Sequence, residues 1–270
     1  MSGNLYLVPS PIGNIDDVSP RQRDILSNVD FIACEDTRNT MKLLNILNIK
    51  KRCVSCHEHN ESSSSKNIVD QIMDGKNVAY LSDAGYPCIS DPGYILAKKC
   101  IENGIKVVPI SGASAFLNGL VGSGLETDHF LFYGFLSSNH SDRIEEISKI
   151  KTLPYTIILY EAPHRINECI HDLYSVIGER NICICRELTK IHEEFIRTSL
   201  KSFIDNPTEF KGEMVIILEK AKEQKETLNN QDIINKVDEL IKNGLTKKDA
   251  ITSVSLLLNI PKNTIKKLVM

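Results

Sequence analysis

Four loops, each following a short apolar run, hold the residue types that could do chemistry. They are Pro9-Ser-Pro-Ile-Gly-Asn-Ile-Asp-Asp17, Cys34-Glu-Asp-Thr-Arg38, Ser82-Asp-Ala-Gly-Tyr-Pro-Cys-Ile-Ser-Asp-Pro-Gly93 and Ile110-Ser-Gly-Ala-Ser-Ala115. The third is the most informative. Gly85 and Gly93 can adopt backbone angles closed to other residues, and Pro87 and Pro92 stiffen what lies between them. A rigid loop of small residues lets a ligand lie directly against backbone. In the fourth loop, serines 111 and 114 precede a helical pattern, so helix-start amides point toward whatever the loop encloses. Arg38 is the only basic residue in the four loops, which disfavours a polyphosphate ligand. Neither G-x-x-x-x-G-K-[ST] nor G-x-G-x-x-G occurs, so both nucleotide phosphate fingerprints are missing. Small residues with few cations suit a neutral or cationic ligand held by backbone groups.

A second cluster resembles a metal or haem motif. Cys53-Val-Ser-Cys56-His57 has the C-x-x-C-H spacing of covalent haem attachment, and His59 would complete four zinc-type ligands. Four ligands within seven residues are too crowded for a tetrahedral site without a second cluster elsewhere. Haem attachment goes with export, and the N-terminus, Met-Ser-Gly-Asn-Leu-Tyr-Leu-Val-Pro, shows no basic segment followed by a long apolar core. The expectation is therefore no metal, no haem and a cytoplasmic location. The eight cysteines (34, 53, 56, 88, 100, 169, 183 and 185), several inside apolar runs, read as reduced core residues.

The elements that must position these loops alternate in type. Strands are expected over 5–8, 29–34, 52–56, 77–81 and 105–110. Helices are expected from Ser19-Pro20, from a Thr37 cap to 47, and over 65–74, 94–103 and 113–121. Strand–helix alternation predicts a mostly parallel sheet covered by helices, with ligands at the carboxyl ends of the strands. The pattern shifts near Gly122. Strands follow over 129–136, 155–160, 181–185, 194–199 and 213–219, with a helix over 163–177. The expected organisation is an N-terminal α/β domain (1–122), a second α/β domain (123–220), and a linker with a basic helical tail (221–270). The tail holds helical patterns over 230–243, 246–258 and 262–269. No run approaches the roughly 18 apolar residues of a membrane helix. The chain carries a net charge of −3, whereas residues 242–270 hold six lysines against Asp249 and carry +5, leaving −8 on the rest. A basic tail on an acidic body fits contact with a phosphate backbone, or equally a solvated tail.

Taken in order, the motifs resemble one subfamily of the tetrapyrrole-methylase-like S-adenosylmethionine enzymes. They are Leu-Tyr-Leu-Val-Pro-Ser-Pro-Ile-Gly-Asn, Glu-Asp-Thr-Arg-Asn-Thr, His-Glu-His-Asn-Glu, the Ser82–Gly93 loop, Tyr-Glu-Ala-Pro-His-Arg at 160–165, Arg-Glu-Leu-Thr-Lys at 186–190 and Gly-Glu-Met-Val at 212–215. The subfamily is the 16S ribosomal RNA cytidine 2′-O-methyltransferases, and the resemblance spans about residues 4–219. It implies two α/β domains with S-adenosylmethionine in the cleft between them, a homodimer, and the small ribosomal subunit as partner. On matching positions it implies Pro9, Asp83, Ala84, Gly85, Tyr86 and Ile89 at the cofactor. Ser114, Ala115, Tyr160 and Met214 would face it from the other side. Tyr86 and Ser111 stand where the subfamily commonly has Thr and Pro.

Methyl transfer to a ribose hydroxyl is an in-line displacement in which alignment is worth roughly 7–11 kcal/mol. A positioned base adds perhaps 10²–10⁴ in rate. Base candidates sit in the polar loops. Glu35, His57 and Glu61 lead, with Asp36, His59 and Glu161 also eligible. Arg38, His59, Arg165, Arg186 and Lys190 are the expected RNA contacts, since RNA is recognised largely through backbone, 2′-hydroxyls and splayed bases. Two other functions remain open at this level: methylation of a precorrin-type tetrapyrrole, and RNA binding without catalysis.

Overall fold

The computed structural model describes residues 2–222, 230–258 and 260–269. Residues Met1–Ala221 form one compact unit that contains two five-stranded sheets, and Lys222–Met270 form another.

The first sheet has strand order β3-β2-β4-β1-β5 and is parallel throughout. Its strands are β1 (Asn4–Val8), β2 (Phe31–Cys34), β3 (Cys53–Ser55), β4 (Val78–Leu81) and β5 (Lys106–Pro109). The helices α1 (Pro20–Asn28), α2 (Thr37–Ile46), α3 (Glu61–Met73) and α4 (Tyr94–Glu102) connect them. β2 and β4 are buried along their whole length, which is why Phe-Ile-Ala-Cys and Val-Ala-Tyr-Leu read as continuous apolar runs without alternation. α1 starts as the sequence predicts: Ser19 and Gln22 form a reciprocal capping box, with Pro20 in the first turn. Two helix starts differ from expectation. Asp36, not Thr37, caps α2: its carboxylate accepts from the Arg38 amide at 2.7 Å, and Thr37 is the first residue of the helix. α3 begins at Glu61, so it includes the Ser62–Ser65 run that favours caps and turns. The helix tolerates these serines because the Ser63 and Ser65 hydroxyls return to the carbonyls of Asn60 and Glu61.

The second sheet is mixed, with order β6-β7-β10-β8-β9. Its elements run α5 (Ala115–Ser123), β6 (Phe130–Phe135), α6 (His140–Ile150), β7 (Thr156–Glu161), α7 (Ile166–Ile177), β8 (Asn181–Arg186), β9 (Glu194–Ser199), α8 (Leu200–Asp205) and β10 (Met214–Leu218). β6 and β7 are parallel, while every pairing from β7 through β10, β8 and β9 is antiparallel. The sequence periodicity did not reveal α6 or α8. α5 packs its Leu120 face onto Ile158, Cys183, Cys185, Val215 and Ile217 of this sheet. α5 therefore packs with the second sheet, and the 122 boundary expected from the change of pattern falls inside that helix. Leu136, Ile157, Leu159, Ile170, Leu173, Ile182, Ile184 and Ile216 fill the opposite face of the sheet.

The C-terminal unit is a three-helix module of α9 (Asn230–Lys242), α10 (Lys247–Leu258) and α11 (Lys262–Leu268). It has its own core of Ile233, Val237, Ala250, Ile251, Val254 and Ile265. Thr246 caps α10, as the sequence predicts, by accepting from the Asp249 amide at 3.2 Å. Most of the expected 221–227 linker, from residue 223 onward, lies outside the described residues.

Candidate active site

All parallel strands of the first sheet end at the same edge, so the loops after β1, β2, β4 and β5 gather there. Backbone pairing locks two of them together: Ser10 and Gly85 exchange hydrogen bonds of 2.9 and 3.0 Å. The Ser10 hydroxyl also donates to the Ser82 carbonyl at 2.7 Å. Pro9 is buried behind this pair. Its carbonyl accepts from the Gln22 side chain at 2.9 Å, and its ring lies against Gly112 of the fourth loop. Tyr86, the residue that departs from the subfamily pattern, crosses to that fourth loop, where its hydroxyl accepts from the Gly112 amide at 2.9 Å.

The loop after β4 is strained. Cys88 and Ser90 have φ of +69° and +59°, unusual for residues with a side chain, and Gly93 has φ +124°. A Cβ at Gly93 would lie 2.8 Å from the Tyr80 ring, so only glycine fits. Glu61 anchors the end of this loop from α3. Its Oε1 accepts from the amides of Gly93 and Leu96 at 3.0 and 3.1 Å, and thereby caps α4 from another element. Strain of this kind persists where surrounding contacts over-determine the backbone, and it concentrates at functional sites.

Opposite these loops, the antiparallel pairing of β10 with β7 sets Met214 beside Glu161. The two edges enclose a cavity of about 490 Å³, inside the size range of small-molecule sites. Ala84, Gly85, Tyr86 and Ile89 line it from the third loop, Ser114 and Ala115 from the fourth, and Tyr160 and Met214 from the second sheet. Eight of the ten residues expected at the cofactor thus meet in one wall. Pro9 and Asp83 do not. Pro9 supports the wall from behind, and Asp83 lies in a neighbouring depression of about 260 Å³ with Ser10, Asn39 and Thr40. There its carboxylate accepts from the Asp36 amide and the Asn39 side chain. Ser114 begins α5 without a side-chain cap bond, so the first amides of the helix are not satisfied from that quarter.

The charge in the cavity wall is one-sided. Asp91, Glu161 and Glu213 line it, and no lysine, arginine or histidine does among the described residues. Glu161 is 3% exposed. Its Oε1 takes the Ala162 amide at 2.8 Å and the Arg165 guanidinium at 3.3 Å, while its Oε2 is buried with no partner among the described residues. Glu213 pairs with Lys190 at 3.4 Å. Burial pushes the Tyr160 phenol up to about 12, so it is protonated at neutral pH. Such a wall favours a ligand with net positive charge.

None of the three leading base candidates lines this cavity. Glu61 is committed to the α4 cap. His57 is half-buried beside His59, with Nδ1 unpartnered among the described residues. Glu35 is raised chiefly by burial and then by repulsion from Asp83, and lines neither the cavity nor the neighbouring depression. The expected RNA contacts also divide. Arg38 and His59 face solvent, with Arg38 paired to Asp36 at 2.6 Å. Arg165 is tied to Glu161 and to the carbonyls of Leu136 and Ser137, Arg186 to Glu194, and Lys190 to Glu187 and Glu213. Sequence reading passed over Asp91, Phe116, Phe135, Leu188 and Glu213 as wall residues. Only the motif positions of Asp91, Leu188 and Glu213 pointed to any of them.

The four side chains of the Cys53–His59 cluster diverge. Cys53 lies against Cys34, and their hydrogen bond, with burial, pushes the Cys34 thiol up. Cys56 is packed in the core, where burial pushes it up to about 12. Protein purified without added metal should contain no stoichiometric zinc and no covalent haem absorbance. Elemental analysis and a visible spectrum check this, and one bound zinc per chain would refute it. Among the described residues, the group of ligand-type side chains that does converge is His140, Glu168 and Asp172, and Arg143 already neutralises it.

The fold is shared with solved structures. A diphthine synthase superposes with a TM-score of 0.62 at 14% identity, covering 80% of this chain and 90% of that one. A Thermus thermophilus uroporphyrin-III C-methyltransferase solved with S-adenosylhomocysteine gives a TM-score of 0.58 at 15% identity, covering 80% and 97%. These likenesses establish the fold. The chain belongs to the tetrapyrrole (corrin/porphyrin) methylase family, whose model matches residues 4–204. Among its relatives are the ribosomal RNA small subunit methyltransferases I of Halalkalibacterium halodurans and Bacillus subtilis, each 40% identical. The first match covers 97% of this chain and 93% of the relative, the second 97% and 92%. No described helix is long and apolar enough to cross a membrane.

Proposed function

We propose that this chain is an S-adenosylmethionine-dependent methyltransferase of small-subunit ribosomal RNA that methylates the 2′-hydroxyl of a decoding-centre cytidine. The observation that carries the cofactor is the cavity wall, which has three carboxylates and no cation. S-adenosylmethionine brings a sulfonium and an ammonium against one carboxylate, so its net charge matches. The near-full-length relatives support the RNA substrate. When bound, the cofactor supplies an electrophilic methyl group on sulfur. The chain's own residues hold and orient it: Gly85 and Ala84 present backbone, Ile89 and Met214 cover apolar surface, and Ser114 and Ala115 open a helix start toward it. The polar depression at Asn39, Thr40 and Asp83 adjoins the same β1–β4 loop pair, and there we place RNA that flanks the acceptor ribose.

Calorimetry with S-adenosylmethionine tests the cofactor. Mass mapping of 16S rRNA from a strain lacking this protein tests the substrate, and one ribose methyl should be missing. Precorrin methylation with no transfer to ribosomal subunits would instead favour the tetrapyrrole reading.

We also read the protein as a cytoplasmic homodimer acting on the small subunit. Leu117 and Val121 on α5 are exposed, and a second copy would cover them. Sedimentation tests this.

The basic tail enters this reading as a docking element. Truncation after Lys220 should leave S-adenosylmethionine affinity unchanged, because the described residues that line the cavity all lie between Ile12 and Val215. It should weaken binding to ribosomal subunits and flatten the salt dependence, by about 0.7–0.9 of a log–log unit for each lost phosphate contact. Subunit affinity measured from low to high salt checks this, and identical curves would show the tail to be a bystander.

A further inference from the structure

We propose that Asp91 is the catalytic base that takes the proton from the ribose hydroxyl, an inference that rests on the methyltransferase reading above. Three acids line the cavity, and two are committed: Glu161 to Arg165 and the Ala162 amide, and Glu213 to Lys190. Asp91 has no hydrogen bond or ion pair to its carboxylate among the described residues, so its lone pairs are free to accept. Its backbone is held between Ser90, at φ +59°, and Pro92, whose carbonyl accepts from the Cys88 amide at 3.1 Å. A carboxylate on so constrained a turn is pre-positioned without a salt bridge.

The groups that face Asp91 from the packed elements are acidic or neutral. They are Glu35 after β2, Asp83 after β4, Cys88 on its own loop and Tyr160 on β7. Partial burial, followed by repulsion from Glu35 and Asp83, pushes the Asp91 carboxyl up to about 7. A base with that value is half ionised at working pH and strong enough to accept a proton as the attacking oxygen becomes acidic. In the transfer, the oxygen–methyl bond forms with the hydroxyl oxygen's lone pair. The sulfur–methyl bond breaks and leaves its pair on a neutral thioether. The hydroxyl proton passes to an Asp91 oxygen and then to solvent.

The test is Asp91→Asn, with Asp91→Glu as a second variant that keeps the carboxyl. Three quantities are measured: S-adenosylmethionine affinity by calorimetry, single-turnover methylation of ribosomal subunits against pH, and thermal unfolding at pH 5 and pH 8. Wild type should show a rate that rises through about pH 7 and then levels. Asp91→Asn removes one of the three wall carboxylates and should weaken S-adenosylmethionine binding by no more than about tenfold, while it loses about 10²–10³ in rate at saturating cofactor and loses the rising limb, and Asp91→Glu should recover part of both. Because the folded carboxyl titrates above its unfolded value, ionising it costs stability as pH rises from about 4 to 7. Asp91→Asn should therefore raise the melting temperature relative to wild type more at pH 8 than at pH 5.

An unchanged pH limb in Asp91→Asn would overturn the assignment. So would a cofactor affinity that falls in step with the rate, which would make Asp91 a ligand for the cofactor's ammonium. A wild-type protein that binds S-adenosylmethionine but methylates no ribosomal RNA would overturn the functional reading itself, a result distinct from either.

Discussion

Replacing Gly85 with leucine abolishes S-adenosylmethionine binding while the fold stays cooperative. Gly85 is buried in the cavity wall at φ +69°, with both backbone hydrogen-bonding groups engaged by Ser10. A Cβ there meets only the Ile12 Cγ2 at 3.6 Å, an ordinary contact, so the first carbon fits. The left-handed backbone then costs about 1–2 kcal/mol. The rest of a leucine has to enter the cavity and take the ligand's place. Gly85→Ala should accordingly lose some stability and keep most of its affinity, whereas Gly85→Leu should lose at least about 100-fold in affinity, or roughly 2.7 kcal/mol. Calorimetry on both variants, with circular dichroism melting as the control for folding, reads this out. Wild-type affinity in a folded Gly85→Leu variant would remove the cofactor from this cavity.

Replacing Arg143 with alanine destabilises the unit of residues 1–221 by about 3–5 kcal/mol, the usual cost of stranding a buried charge. Arg143 is 1% exposed. Its Nε donates to Asp172 at 2.6 Å and its Nη2 to Glu168 at 2.5 Å, while Nη1 donates to the carbonyls of Ser137 and Ser138 at 3.1 and 3.2 Å. Asp172 is itself only 7% exposed, so its charge would lose its compensation. Glu168 is largely solvated and contributes little to the loss. At about 2–4 °C per kcal/mol for a unit of this size, the melting temperature should fall by roughly 6–20 °C. The carbonyls that Arg143 holds follow Phe135, a cavity wall residue, and Arg165 braces the same turn. Cofactor affinity should therefore weaken below the new melting point as well. A melting temperature within 2 °C of wild type would show that the cluster relaxes around the missing charge.

The sequence by itself determined the class of the fold, the parallel character of the first sheet and the loops that line the cavity. These are local properties. A fully buried parallel strand has to be continuously apolar, as Phe31–Cys34 and Val78–Leu81 are, and a tight ligand loop has to contain glycine and proline, as 82–93 does. The Ser19 and Thr246 caps and the separate three-helix tail were legible for the same reason. Side-chain roles were not. Glu61 looks like an acid–base residue in His-Glu-His-Asn-Glu, yet it caps α4, because α3 and α4 pack side by side although 30 residues separate Glu61 from Asp91 in the loop it anchors. Arg165, Arg186 and Lys190 read as RNA-facing cations, yet each is held by acids: Arg165 by Glu161 one turn away, Arg186 by Glu194 on the paired strand β9, and Lys190 by Glu187 and Glu213. The helix α6 was hidden because its inward face carries Arg143 as well as Ile147 and Ile150, which breaks the apolar period. The antiparallel return of β10 brings Met214 to Glu161. Which acid remains uncommitted in the cavity depends on pairings within the second lobe, Glu161 with Arg165 and Glu213 with Lys190, and the second of these joins residues 23 apart that only the tertiary structure brings together, because an ion pair is set by distance in space and not by position along the chain.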